Sequence, residues 1–298
     1  MPAFTDIAII YNPNSTGRAE DRARQLQQEL KTALLRIPVS LLPTERAGHA
    51  VELAYDFAQK HKRPLIISAS GDGGYHEVIN GALRAQAKGA RPICAVLPSG
   101  NANDHARTMH DRSLAELIVA EKVTSLEILS IRITAADGTE ASRYAHSYIG
   151  LGLTPTVAVE LNKHTLNSLK EAWIVTKTFW GLRPVRIKDE RGVHKLDSLI
   201  CSIIPEMAKV LTITDQAHPR DGLFEITAFE HNRKLKLLLR LIRGVVKNLG
   251  AERRASEYSF TVLESVPIQL DGEVMELEGN TTVTIAAQQG LLQTIASV

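Results

Sequence analysis

Apolar runs and helical patterns alternate along roughly the first 120 residues. The apolar runs predict strands at 7–11, 39–42, 65–68 and 93–97, and apolar positions at helical spacing predict helices at 23–34, 47–59 and 74–87. Alternation of this kind predicts a doubly wound α/β domain with a parallel sheet. In such sheets ligands bind beyond the carboxyl ends of the strands. Three loops rich in Gly, Asn, Ser and Asp follow predicted strands, and they are therefore the candidate ligand loops.

Short β-rich runs replace this alternation from about residue 123 onward. They lie at 123–133, 141–149, 196–204, 209–214, 223–229, 258–263 and 281–287, and helical stretches interrupt them near 157–180 and 233–249. Strands at this density predict a second domain built as an antiparallel β-sandwich. We expect the α/β domain to span 1–125 and the β-rich domain to span 126–298, with the last strand or two returning to the first domain.

Composition and charge narrow the class of protein. The 298 residues are 44% hydrophobic, which is enough for a large core, and the formal net charge of +2 does not indicate a nucleic-acid partner. Cys94 and Cys201 lie in apolar runs and are predicted to be buried thiols, which fits a reducing cytoplasm. The N-terminus lacks a signal-peptide pattern and no apolar run reaches the length of a membrane span. We expect a cytoplasmic protein whose contact with the inner membrane face, where it occurs, is peripheral.

The most informative loop is Ser70-Gly71-Asp72-Gly73-Gly74, where a predicted strand passes through glycines into a helix. Glycines let successive backbone N–H groups converge, and a helix N-terminus adds partial positive charge, so this loop predicts a phosphate cradle. The embedded Asp72 suits a divalent cation or a substrate hydroxyl. The alternative is a tight turn in which Asp72 caps the helix. The run lacks the Gly-Lys-Ser/Thr of a Walker A loop.

Two further loops follow strands. Residues 97–107 contain Ser99, Asn101 and Asn103 and open a helix, so they are either a polar N-cap cluster or a second phosphate loop. Residues 11–17 end the first strand and taken alone are an ordinary turn. Two phosphate-type loops in one half of the chain favour a nucleotide-phosphate site.

Five segments, in this order, resemble the catalytic domain of the diacylglycerol kinase and sphingosine kinase family, including its bacterial members. The segments are Asn12-Pro13…Gly17, Gly71-Asp72-Gly73…Glu77-Val78…Asn80-Gly81, Leu97-Pro98…Gly100…Asn103, Arg220-Asp221-Gly222-Leu223-Phe224-Glu225-Ile226 and Leu270-Asp271-Gly272-Glu273. The resemblance implies a nucleotide-binding α/β domain followed by a β-rich lipid-binding domain. The implied reaction is ATP-dependent transfer of the γ-phosphate to a lipid hydroxyl, with a diacylglycerol-like lipid as the expected substrate.

The same resemblance implies roles for individual residues. The implied contacts of ATP are Asn12, Thr44, Ser70, Gly71, Asp72, Gly73, Gly74, Ser99, Gly100 and Asn101. Asp221 and the backbone carbonyl of Leu223 correspond to a segment that binds Mg²⁺. Asp72 and Glu273 are competing candidates for the base that accepts the proton of the lipid hydroxyl, and the sequence leaves the choice open.

The chain departs from the family pattern in places that bear on the substrate. The usual run Gly-Gly-Asp-Gly-Thr is here Ser70 to Gly74, and Ser70 with His76 resembles the sphingosine-kinase form; His76 itself is expected to be structural. The segment after Gly152 has no carboxylate before Glu160, which argues against a sphingoid base with a free amine, because a buried ammonium needs a partner. The alternatives to a kinase of a diacylglycerol-like lipid are a sphingoid- or ceramide-type kinase, an NAD kinase, or a non-catalytic nucleotide- or lipid-binding module.

Two predicted helices carry features that could serve a lipid partner. The helix at 233–249 has an apolar face and a separate stripe of Lys and Arg, which is interpreted as a core-packed helix with a solvated basic face; the alternative is a helix that rests on anionic lipid. Trp173 and Trp180 are interpreted as core residues, with a lipid-tail pocket as the alternative. The sequence leaves open whether the protein is a homodimer.

Overall fold

The computed structural model describes residues 3–15, 17–156, 181, 183–207, 209, 211–214, 217–231 and 247–297. The chain divides into two compact units. Unit 1 is Met1–Glu127 with Gln289–Val298, and unit 2 is Ile128–Gln288. The division predicted from the sequence lies close to the start of unit 2.

Unit 1 is an α/β unit. Its elements in chain order are β1 (Asp6–Tyr11), α1 (Ala19–Ala33), β2 (Val39–Pro43), α2 (His49–Lys60), β3 (Pro64–Ser70), α3 (Asp72–Gln86), β4 (Ile93–Pro98), α4 (Asp104–Met109) and α5 (Leu114–Val119). The four strands are parallel in the order β2-β1-β3-β4, and the end of the last strand of the chain, β17 (Thr282–Ile295), joins β4 in parallel through Thr294 and Cys94. The predicted parallel sheet is confirmed.

Both faces of the unit 1 sheet are buried under helices. Alternate strand residues such as Ile7, Ile9 and Ile67 pack on α1 and α5 in one core cluster, and the residues between them face the side that contacts α2 and α3. A strand that is buried on both faces is a continuous apolar run in the sequence, and this explains why the four strands could be predicted. All three helix starts differ from the prediction: α1 begins at Ala19 rather than at residue 23, and α2 begins at His49 rather than at residue 47. α3 begins at Asp72 rather than at residue 74, so it includes Gly73 and Gly74. Glycines have low helix propensity, but here packing of the following turn decides the boundary.

Unit 2 is rich in antiparallel strands, as predicted. Its elements are β5 (Val123–Thr134), β6 (Glu140–Ala145), β7 (Tyr148–Gly152), β8 (Val185–Asp189), β9 (Gly192–Ser202), β10 (Glu206–Met207), β11 (Leu211–Thr212), β12 (Phe224–Glu230), β13 (Arg253–Ala255), β14 (Glu257–Val262), β15 (Val266–Leu270), β16 (Glu273–Leu277) and most of β17. The main strand order is β16-β15-β7-β9-β8-β14-β17, and β12 pairs with β9 and β13. Core residues of one cluster here include Tyr148, Ile200 and Phe229.

Several sequence predictions in unit 2 need correction or lie outside the described residues. The predicted strand at 141–149 is two strands, because the backbone N–H groups of residues 146–148 bind a carboxylate instead of continuing a ladder. β8, β10, β13, β15 and β16 were not predicted. The predicted helix at 157–180, with Trp173, Trp180 and Glu160, lies outside the described residues, as do residues 233–246 of the second helix.

Two general predictions can be checked on the described residues. Cys94 and Cys201 are free and buried, as expected, and burial raises the pKa of each thiol to about 12. Within the described part of the chain, no helix has both the length and the apolar character needed to cross a membrane.

Candidate active site

Three loops of unit 1 meet at the carboxyl ends of β1, β3 and β4. The backbone N–H of Ser99 donates to the carbonyl of Ser70 at 2.8 Å. A Cβ on Gly71 would lie 3.1 Å from the Cα of Gly100, and a Cβ on Gly17 would lie 1.8 Å from the carbonyl oxygen of Ser99. The backbones are therefore in direct contact at glycines. We call residues 12–18, 70–74 and 98–104 the loop cluster.

The loop after β2 is tied to the same region. The N–H of Thr44 donates to the carbonyl of Tyr11 at 2.8 Å, which places Thr44 beside the end of β1. The N–H of Gly48 donates to Glu77 Oε1 at 3.2 Å, so α3 holds the start of α2. The sequence offered Glu77 only as part of a family motif, and this contact gives it a structural role.

The glycine run opens α3 as predicted. Gly71 is extended and precedes the helix, and Gly73 and Gly74 lie in its first turn. The first N–H groups of a helix have no partner within the helix and lie at its positive end, so they suit an anionic ligand such as a phosphate. His76 follows on the same turn and is buried, which agrees with its expected structural role.

Ser70 fills the space beside Gly74. A Cβ on Gly74 would lie 2.6 Å from both the Cβ and the Oγ of Ser70. The Ser70 hydroxyl is 2.7 Å from Ser68 Oγ and donates to the carbonyl of Gly71 at 2.9 Å. The family run has Gly at the position of Ser70 and Thr at that of Gly74. In this chain the residue with a hydroxyl is therefore at position 70 instead of position 74. The two departures from the pattern are coupled by contact.

This coupling predicts the outcome of a double-mutant cycle. Gly74→Thr alone is expected to raise the KM for ATP about tenfold, because the new side chain displaces Ser70. The double variant Ser70→Gly with Gly74→Thr is expected to return the KM to within about threefold of wild type. Steady-state kinetics at saturating acceptor measures both values. Strictly additive effects of the two substitutions would contradict the coupling.

Asp72 binds the start of α4. Its two carboxylate oxygens accept the backbone N–H groups of Asp104 and His105, each at 3.2 Å. The His105 ring in turn contacts the ring of Tyr75, with centroids 5.2 Å apart. Asp72 was also considered as a cap of its own helix, but these two contacts join the loop at 70–74 to the loop at 98–104. No local spacing could have indicated a contact over more than thirty positions.

Other residues of the candidate nucleotide loops use their side chains in hydrogen bonds within the loops. Asn12 Oδ1 accepts the N–H of Asn14 at 2.9 Å, and the buried Ser99 hydroxyl donates to the carbonyl of Leu97 at 3.1 Å. The side chain of Asn103, in the left-handed region at φ 53°, accepts from the N–H of Gly100 and donates to its carbonyl. Asn101 is exposed. The roles of these residues toward ATP stay predictions.

In unit 2 the two acidic residues of the Asp-Gly-Glu segment lie in different environments. Asp271 is fully buried, and its carboxylate accepts the backbone N–H groups of His146, Ser147 and Tyr148 at 2.8, 2.8 and 3.1 Å. Glu273, the first residue of β16, is exposed. Asp271 therefore fixes the turn that presents Glu273, a role that the motif alone did not reveal.

The predicted metal segment does not fit a bound Mg²⁺ in its present form. Asp221 Oδ1 accepts the N–H of Leu223 at 3.0 Å, and Asp221 Oδ2 is paired with Arg254 Nη2. Arg254 Nε also lies 2.9 Å from Glu225 Oε1. Among the residues that the structure describes, no cluster of three or more His, Cys, Asp or Glu could hold a metal ion. Asp221 is thus engaged by a guanidinium.

Comparison with known proteins agrees with this architecture. Residues 6–133, which include the whole loop cluster, match the family model of the diacylglycerol kinase catalytic domain. The family resemblance predicted from the sequence is confirmed. The diacylglycerol kinase match covers the α/β elements of unit 1 and extends into β5.

Curated relatives come from both branches of the resemblance. A diacylglycerol kinase of Staphylococcus aureus (strain MRSA252) is 36% identical over 107 residues, which cover 34% of this chain and 31% of the relative. Sphingosine kinase 1 of Rattus norvegicus is 26% identical over 208 residues, which cover 63% of this chain and 51% of the relative. The chain thus spans about a third of the length of the first relative and about half of the second.

A solved structure supports the fold over the full length. A crystal structure of a diacylglycerol kinase from Bacillus anthracis str. Sterne superimposes with a TM-score of 0.72 at 18% identity, covering 100% of this chain and 98% of that chain. At this identity the likeness concerns the fold, namely the α/β part with a parallel sheet and the antiparallel strand-rich part.

Proposed function

We propose that this chain is an ATP-dependent lipid kinase that transfers the γ-phosphate to the hydroxyl of a diacylglycerol-like lipid. The observation that carries the proposal is the backbone contact of the loop cluster at Gly17, Gly71 and Gly100, within the diacylglycerol kinase match. This contact leaves the first turn of α3 at the carboxyl edge of the sheet, where ligands of such sheets bind.

In this proposal the backbone does most of the nucleotide binding. The N–H groups of Gly73 and Gly74 donate to phosphate oxygens, and Thr44 and Asn12 border the nucleotide. Asp72 acts as a positioning residue, because both of its oxygens already accept N–H groups of α4. Glu273 is the proposed proton acceptor, since it is an exposed residue at the start of β16. Mg²⁺ is proposed to arrive with ATP, where it neutralises phosphate charge.

The test is an ATP-consumption screen with the full chain. The acceptors are diacylglycerol, monoacylglycerol, ceramide, sphingosine and phosphatidylglycerol in mixed micelles, and NAD in solution. We expect a radiolabelled lipid product with the highest kcat/KM for diacylglycerol. Phosphorylation of NAD without a lipid product would overturn the proposal, and ATP binding without turnover on any acceptor would favour a non-catalytic module.

A sphingoid- or ceramide-type kinase is the second candidate. It is favoured by Ser70 and His76 in the glycine loop, and by the sphingosine kinase relative, whose match covers more of the chain than the diacylglycerol kinase relative does. The missing carboxylate after Gly152 argues against a free amine. Ceramide, which has no ammonium, is therefore the better test of this branch, and a ceramide product exceeding the diacylglycerol product would select it.

A further inference from the structure

We propose that Arg254 takes the place of a metal ion at the Asp221–Leu223 segment, so that this chain holds the segment without Mg²⁺. The inference concerns the stability and ion binding of unit 2 and does not rest on the proposed kinase activity. Asp221 was predicted to bind Mg²⁺ but is paired with Arg254, and we take this pairing to be a property of this chain.

Arg254 is built into the sheet at the right place. It lies on β13 directly across from Glu225 on β12, and its Nε is 2.9 Å from Glu225 Oε1. Its Nη2 pairs with Asp221 Oδ2. One guanidinium thus bridges two carboxylates through two different nitrogens, which suits the planar fork of arginine and is not available to the point charge of a lysine.

The cation is needed because the carboxylates are close to each other and partly withdrawn from water. Glu225 is only 1% exposed, and neither of its carboxylate oxygens has a hydrogen-bond partner of good geometry among the described residues, so the approach of Arg254 Nε to Oε1 is an ion pair. The Arg254 and Asp221 side chains are about one third exposed. Removing the cation would leave a buried carboxylate unpaired beside a second negative charge, which is costly.

A divalent ion would compete for the same oxygens. Mg²⁺ takes near-octahedral oxygen ligands at close range. Asp221 Oδ1 already accepts the N–H of Leu223, and its Oδ2 accepts from Arg254. The positive φ of Gly222 (76°) belongs to the turn that the first of these bonds closes. The turn is therefore formed by Asp221 and braced by Arg254, which supplies one positive charge where Mg²⁺ would supply two.

The experiment measures thermal unfolding of the full chain without nucleotide, in EDTA and in millimolar MgCl₂. Wild-type protein is expected to show the same Tm in both. Arg254→Gln is expected to lower the Tm in EDTA by roughly 5–15 °C, and MgCl₂ is expected to restore part of this loss, because two carboxylates and a carbonyl become available. Adding Asp221→Asn to this variant is expected to abolish the response to Mg²⁺.

Arg253→Gln is the matched control. It removes the same charge one position away, where Arg253 pairs with Glu190 at 3.0 Å instead of with Asp221. Its Tm is expected to be insensitive to Mg²⁺. A wild-type Tm that rises in MgCl₂ and loses this rise on Asp221→Asn would overturn the proposal, and that comparison remains decisive where Arg254→Gln fails to fold.

Discussion

Replacing Glu273 with Gln is expected to lower kcat by about 10²–10⁴-fold, the usual contribution of a positioned acid or base. The KM for ATP and the Tm are expected to change little. Glu273 is exposed at the start of β16, and the buried Asp271 fixes the neighbouring turn through the backbone N–H groups of residues 146–148. Gln keeps the size of the side chain and removes its negative charge together with its ability to accept a proton. Steady-state kinetics and thermal unfolding of the same preparations measure the three quantities.

Asp72→Asn separates the two candidates for the base. An amide at this position presents a donor where the carboxylate now accepts an N–H of α4, so we expect a lower Tm and weaker ATP binding. Activity loss should therefore accompany a loss of stability in Asp72→Asn and occur without it in Glu273→Gln. A stable, ATP-binding but inactive Asp72→Asn together with an active Glu273→Gln would instead identify Asp72 as the base.

The strands of unit 1 could be predicted because a strand buried on both faces is a continuous apolar run. Ile7, Ile67 and Ala95 each lie in such a run, and all are buried. The strands of unit 2 were harder to predict. β16 begins at the exposed Glu273 and alternates weakly, so its apolar pattern does not differ from that of a loop. The sheet, rather than the local sequence, determines that it is a strand.

The site could be predicted as a set of loops but not as a set of contacts. Glycines after strands indicate where backbones approach, and the loop cluster lies at the expected ends of the strands. The partners of Asp72 and the pairing of Asp221 with Arg254 could not be predicted, because tertiary structure brings these groups together. Arg254 reaches Asp221 only because β13 pairs with β12 in one particular register. Side chains that looked like ligands in the sequence are thereby engaged with the protein itself.

Gly17→Ala is the second substitution expected to have a large effect. It tests whether the loops of the loop cluster must be in contact for ATP to bind. The added Cβ would lie 1.8 Å from the carbonyl oxygen of Ser99 and 2.8 Å from its carbon, and both are backbone atoms. Relief requires the first loop to move away from the third, or Ser99 to give up its 2.8 Å hydrogen bond to Ser70. We expect kcat/KM for ATP to fall by about 10²-fold, since a displacement near 1 Å at a binding loop has this effect.

The stability of Gly17→Ala should fall less than its activity. Overpacking of this kind costs about 1–3 kcal/mol, or roughly 2–12 °C in Tm for a chain of this size. Gly181→Ala is the control, because a Cβ there meets no described atom within 4 Å. Isothermal titration with ATP and thermal unfolding measure the two effects separately. Wild-type affinity for ATP in Gly17→Ala would show that the nucleotide does not depend on contact between the loops, and the phosphate cradle would then have to be formed by the first turn of α3 alone.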